Sequence, residues 1–137
     1  MNRELDAITG LADRFGASRI FAVSCTLGAL ANAGLAPIGQ TLDFRLIAID
    51  YGQAVFQGTP SRAHYNPLGT VHGGWFASLL DSAVGCAVHS TLAAGQSYTT
   101  LELKVNYVRP LNERVARVRA IGRVIHAGRR VATAEAR

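Results

Sequence analysis

The chain has 137 residues, 49% of them hydrophobic, and its 14 Lys and Arg against 9 Asp and Glu give a formal net charge of +5. That length and apolar content suit one domain with a single core, and no internal repeat, low-complexity segment or linker divides it. Two cysteines, Cys25 and Cys86, stand far apart in apolar surroundings. They read as core thiols in a reducing, cytoplasmic setting, which sets aside a disulfide scaffold.

In chain order, Ile20 to Leu35 is as hydrophobic as a signal-peptide core. The nineteen residues before it set Glu4, Asp6 and Asp13 against Arg3, Arg14 and Arg19, so no net positive segment precedes it. The run is also short for a membrane span and diluted by Ser, Thr, Asn and Gly. The expectation is one or two amphipathic helices ending at a Gly34–Gly39 turn. Residues 1–40 then form an N-terminal helical segment and 41–137 the main domain. Thr41–Asp50 alternates Leu42, Phe44, Leu46 and Ala48 against Asp43, Arg45, Ile47 and Ile49, which predicts a strand. Tyr51-Gly52 is a turn and Ala54–Thr59 the hairpin partner. Pro60–Gly69 is a loop that delivers Asn66 to the entry of a helix.

Tyr65–Ala94 is the stretch around which the chain is organised. Asn66-Pro67-Leu68-Gly69 is turn chemistry, and His72-Gly73-Gly74 is an entry where backbone comes close to something. Beyond Gly74, apolar residues recur at Phe76, Leu79, Leu80, Ala83, Val84, Ala87 and Val88 without a proline, which predicts a buried helix that Gly95 stops. Asp81 is out of place in it. Its neighbours three and four residues away are Ala77, Ser78, Val84 and Gly85, so no basic side chain on that face neutralises it. A carboxylate so placed is either held by hydroxyls as a structural group or performs chemistry. The glycines favour chemistry, because N–H groups at the positive end of a helix dipole suit an oxyanion or a bound anion.

Thr99–Val108 has the cleanest alternation in the chain, Leu101, Leu103, Val105 and Tyr107 against Thr100, Glu102, Lys104 and Asn106, and predicts a strand with one face on the helix. Arg114–His126 predicts another, with Ala116, Val118, Ala120 and Val124 opposite Arg117, Arg119 and Arg123. After an Ala127-Gly128-Arg129 turn, Val131–Arg137 begins a further strand. Beyond Val108 there are eight arginines against Glu113 and Glu135. Such a basic stripe could serve nucleic acid, an acidic membrane surface or a polyanionic cofactor such as coenzyme A, or be a solvated face. No aromatic residues interleave with these arginines, which speaks against stacking on nucleic acid. His64, His72, His89 and His126 lack metal-ligand spacing with a carboxylate or cysteine partner, so no metal is expected. Nor is there a nucleophile elbow, a P-loop or a dinucleotide fingerprint.

The ordered set Asn66-Pro-Leu-Gly-Thr-Val-His72-Gly73-Gly74, then Leu80-Asp81, then Thr99-Thr100-Leu-Glu-Leu-Lys-Val-Asn-Tyr-Val-Arg109-Pro110 resembles the PaaI-like, phenylacetate-pathway group of hotdog-fold acyl-CoA thioesterases, from about Leu42 to Arg137. The resemblance implies an α+β hotdog fold, in which a bent antiparallel sheet wraps one long central helix. It also implies a homodimer or dimer of dimers with each site at a subunit interface. Activity on acyl-CoA is implied with no cofactor, coenzyme A being part of the substrate, and no nucleic-acid or membrane partner. Asp81 takes the position of nucleophile or general base. The Gly73 N–H takes that of carbonyl polariser, with Gly74 beside it. Asn66 and His72 fall where the thioester is oriented and the leaving sulfur assisted, a helix-entry cap being the other role open to His72. Thr100, or Thr99 in the adjacent register, would hold the attacking water, and Arg109 a phosphate. Trp75 and Phe76 suggest an apolar pocket for an aryl-acetyl or medium-chain group, with packing at the dimer interface the other role open to Trp75. The resemblance also leads one to expect a further strand of the same sheet after the position of Arg137, which family members usually have. Other readings are a non-catalytic acyl-CoA-binding hotdog module and a hotdog dehydratase or hydratase, which would need an Asp-His pair in a different motif.

Overall fold

Proline has no N–H to lose at the first position of a helix, and the first described element begins on one. The structure is a computed structural model and describes residues 36–137. The helices expected within 1–35, and Cys25, lie outside that range. Helix α1, Pro37–Leu42, occupies the place of the expected turn and the start of the expected strand, so the 40/41 boundary falls inside it. It ends at Asp43, whose φ of 50° is left-handed, a conformation aspartate tolerates better than most residues. Strands β1, Phe44–Asp50, and β2, Gln53–Gly58, form the predicted hairpin through Tyr51-Gly52. A bulge between Leu46 and Ala48 shifts the phase. Phe44 and Leu46 therefore face the core as their alternation predicts, whereas Ala48 is exposed and Ile49 half-buried.

Helix α2, Gly73–His89, is followed by β3, Val118–Ala127, and β4, Ala132–Ala136. The four strands make an antiparallel sheet in the order β1-β2-β3-β4, with α2 packed on it. Trp75, Leu79, Ala83 and Ala87, four residues apart, are the buried stripe of α2, and most of the remaining helix surface is half-buried. The helix stops at His89, short of Gly95. There the Ser90 hydroxyl donates to the Ala87 carbonyl (2.7 Å) and accepts the Gly52 N–H (2.8 Å), tying the helix end to the β1–β2 turn. Gly95 instead serves the next turn at φ 83°.

Where α2 meets the sheet, the contact is backbone on backbone. A Cβ on Gly122 of β3 would run into the Ala83 carbonyl and the Val84 nitrogen, while Ala54, Ala83 and Ala120 are almost fully buried around it. Gly122→Ala is therefore expected to destabilise the fold by about 1–3 kcal/mol, the usual penalty for overfilling a packed core, because neither backbone can yield. Urea unfolding of the variant measures this, and an unchanged midpoint would mean that the helix sits farther from the sheet.

Two expectations need correction. Thr99–Val108 joins no sheet: it carries neither helix nor strand pairing and is exposed except for half-buried Val105. Alternation describes two faces of a chain, but a strand also needs a hydrogen-bonded neighbour, and among the described residues none lies alongside. The Arg114–His126 strand starts only at Val118, after a turn around Glu113-Arg114. From there its faces are as predicted, with Ala120 and Gly122 buried and Arg119 and Arg123 exposed. Among the described residues, only β3 pairs with β4.

Candidate active site

The loop before α2 is built by Asn66. Its Oδ1 accepts the Leu68 and Thr70 N–H groups (3.0 and 3.2 Å) and its Nδ2 donates to Thr70 Oγ1 (2.9 Å), a side chain imitating a turn. The loop is closed onto the rest by Val71 N–H to Leu111 O (2.9 Å) and His72 N–H to His64 O (2.8 Å). His72 is the N-cap of α2: its Nδ1 accepts the Gly74 N–H at 2.8 Å. In the neutral ring the proton is therefore assigned to Nε2, which leaves a donor on an exposed side chain. Among the described residues the Gly73 N–H, the first of the helix, meets no acceptor.

Asp81 lies two turns farther along α2 and is half-buried. Thr100 Oγ1 donates to its Oδ1 at 2.9 Å, so of the two candidate threonines Thr100 reaches the carboxylate. Its Oδ2 takes no hydrogen bond from the described residues. Eight residues of helix separate Gly73 from Asp81, a rise of about 12 Å. One chain thus cannot bring both groups to a single carbonyl.

Among the described residues Trp75 is a core side chain. It is 3% exposed, donates from Nε1 to the Leu42 carbonyl (2.8 Å) and stacks on His64 with centroids 5.7 Å apart. Gly74 is exposed, but its N–H is taken by His72. Thr99 and Arg109 are exposed, and no ion pair involves Arg109 among the described residues.

Two tyrosines were not singled out from sequence. Tyr107 donates to the Gly73 carbonyl (3.1 Å) and packs edge-on to Phe76. Tyr98 lies over Gly85 with its ring 5.6 Å from that of His89. Burial, then the neighbouring Cys86 and Asp81, push its phenol up to about 12, and burial pushes the Cys86 thiol up to about 11. The available signal was a glycine inside a helix, which marks a close approach. Among the described residues no cluster of three or more His, Cys, Asp or Glu could hold a metal, and no helix is long and apolar enough to cross a membrane.

A long helix lying on an antiparallel sheet, with an open N–H at its start and a carboxylate in its middle, is the hotdog arrangement. The chain belongs to the thioesterase superfamily, whose family model matches residues 68–137, and within it to the PaaI-like group. Three of the similar solved structures illustrate the relationship. A putative thioesterase related to phenylacetic acid degradation, from Ralstonia eutropha, is 30% identical with a TM-score of 0.65, over 74% of this chain and 80% of that one. A mutant of the phenylacetic acid degradation protein PaaI from Thermus thermophilus is likewise 30% identical at a TM-score of 0.65, over 74% and 84%. A conserved Pseudomonas aeruginosa protein is 29% identical at 0.70, over 79% and 86%. A comparison with curated proteins gives no match.

Proposed function

We propose that the chain hydrolyses acyl-CoA thioesters, with an aryl-acetyl or medium-chain acyl group, at sites each shared by two copies in a homodimer or dimer of dimers. The observation that carries this reading is the Asp81–Thr100 pair with one carboxylate oxygen open, on a helix whose first N–H is also open, in a thioesterase-superfamily fold. The rise of about 12 Å supports drawing the two groups of one site from different chains, Asp81 and Thr100 from one and Gly73, His72 and Asn66 from the other.

In the chemistry proposed, Asp81 attacks the thioester carbonyl or takes a proton from a water that does. The new bond joins oxygen to the acyl carbon, and charge develops on the former carbonyl oxygen. That oxygen accepts the Gly73 N–H, where the helix dipole also favours negative charge. Collapse breaks the C–S bond, the His72 Nε2–H is placed to hydrogen-bond the departing sulfur, and the thiolate takes its proton from water. If Asp81 is the nucleophile, water then cleaves the anhydride. The products are the free acid and coenzyme A, whose phosphates suit Arg109 and the basic stripe that follows it in sequence. Asn66 positions the oxyanion and leaving-group donors by shaping the loop before them.

The test is free-thiol release from phenylacetyl-CoA, a hydroxybenzoyl-CoA and a medium-chain acyl-CoA, with the protein sized by gel filtration. Turnover by an oligomer is expected. Background rates from a folded oligomer would leave an acyl-CoA-binding module in place of an enzyme.

A further inference from the structure

The segment that carries Thr100 has no sheet to hold it, yet Thr100 must stay on Asp81. Its seating comes from side chains placed on glycines of α2. Tyr98 sits where a Cβ of Gly85 would collide with its hydroxyl and come within 3.1 Å of its ring carbons. Tyr107 sits where a Cβ of Gly73 would lie 3.1 Å from its Cζ, and its hydroxyl bonds the carbonyl of that glycine. The segment thus runs antiparallel to α2, with Tyr98 at Gly85, Thr100 at Asp81 and Tyr107 at Gly73. Asp81, Gly85 and His89 are spaced four apart on one face of the helix, and Tyr98 covers the latter two. Glycine inside a helix weakens it, so Gly85 has to be explained by what it admits.

From this geometry we infer that Tyr98 is a positioning residue: seated in the notch at Gly85, it fixes the register in which Thr100 meets Asp81. Its catalytic consequence rests on the thioesterase reading above, whereas the seating itself does not. Tyr98 touches neither thioester nor water; it acts through Thr100. The hydroxyl makes the worst overlap with an added Cβ, so removing that one oxygen should let an enlarged position 85 and the ring coexist.

The test is a size-complementation cycle of Gly85→Ala, Tyr98→Phe and the double variant in the full chain. Alanine favours the helix, so loss through unfolding is not expected in Gly85→Ala, and thermal melting checks this. The nuclear Overhauser contacts between the ring at position 98 and the His89 ring should vanish in Gly85→Ala as the segment lifts, and return in the double variant. In the ultraviolet titration of the tyrosines, the phenol held above the ordinary range by its seat on α2 should move back towards that range in Gly85→Ala. If the protein turns over, kcat should fall about 10-fold to 100-fold in Gly85→Ala with KM little changed, and the double variant should return to the rate of Tyr98→Phe alone. Unaltered ring contacts in Gly85→Ala, or a double variant as impaired as Gly85→Ala, would overturn the inference. A wild-type protein without turnover would defeat the thioesterase reading, while the ring contacts and the titration would still decide the seating.

Discussion

Asp81→Asn is expected to lower kcat by about 10³-fold or more, the range lost when a general base or nucleophile is removed, while KM stays near the wild-type value. Asparagine has the shape of aspartate, and its Oδ1 still accepts the Thr100 hydroxyl now 2.9 Å away, so the segment over α2 keeps its seat. What disappears is the negative oxygen that faces no described donor. The substitution thus separates the two roles open to a carboxylate inside a helix. A structural carboxylate would reveal itself in the melting temperature. One that performs chemistry would leave the melt alone and remove the rate. Thiol release and thermal melting on the same preparation distinguish them, and a variant that hydrolyses at the wild-type rate would remove Asp81 from the reaction.

Gly73→Pro is expected to lower kcat by about 10²- to 10³-fold, the loss found when one oxyanion donor is deleted. Position 73 suits this substitution unusually well. Proline is favoured at the first residue of a helix, and His72 before it already has φ −63° and ψ 138°, the extended backbone a following proline demands. The N–H removed donates to nothing among the described residues, so no structural hydrogen bond is lost with it there. The ring does press on Tyr107, whose Cζ would lie 3.1 Å from the new Cβ and must yield by a few tenths of an ångström. A folded variant with the wild-type rate would show that some other group stabilises the oxyanion.

Most of the framework was legible because it depends on local chemistry. The α2 periodicity, the turn at Tyr51-Gly52 and the two faces of Val118–Ala127 all follow from residue spacing, and the helix is packed on an antiparallel sheet as expected. Departures arise where a tertiary partner decides. Thr99–Val108 has the best strand pattern in the chain and, among the described residues, no strand beside it. Trp75 looks like a pocket wall when only its neighbours in sequence are known, yet its indole N–H is claimed by Leu42, thirty-three residues away. The bulge after Leu46 inverts the faces of β1 midway, and nothing in the alternation foretells it.

The site was legible in part for the same reason. Asp81 could be singled out because a lone acid among apolar residues is anomalous wherever it falls. His72 as a cap and Asn66 as a turn-former are local, and the structure gives both of them those hydrogen bonds. Tyr98 and Tyr107 could not be chosen, because their importance lies in which glycine of α2 each one covers. The separation of Gly73 from Asp81 follows from helix geometry alone, and it is the ground for proposing a site shared by two chains.

The most direct test of that two-chain site is to mix two inactive variants, Asp81→Asn and Gly73→Pro, under conditions where subunits exchange, and to measure thiol release against the wild-type protein. In a mixed dimer, one site collects both substitutions and the other collects neither. Equal mixing should therefore restore about a quarter of the wild-type rate, given that roughly half of randomly paired dimers are mixed and each has one intact site. No recovery, with subunit exchange verified, would contradict the account, because it would place Asp81 and the Gly73 N–H in the same chain's site.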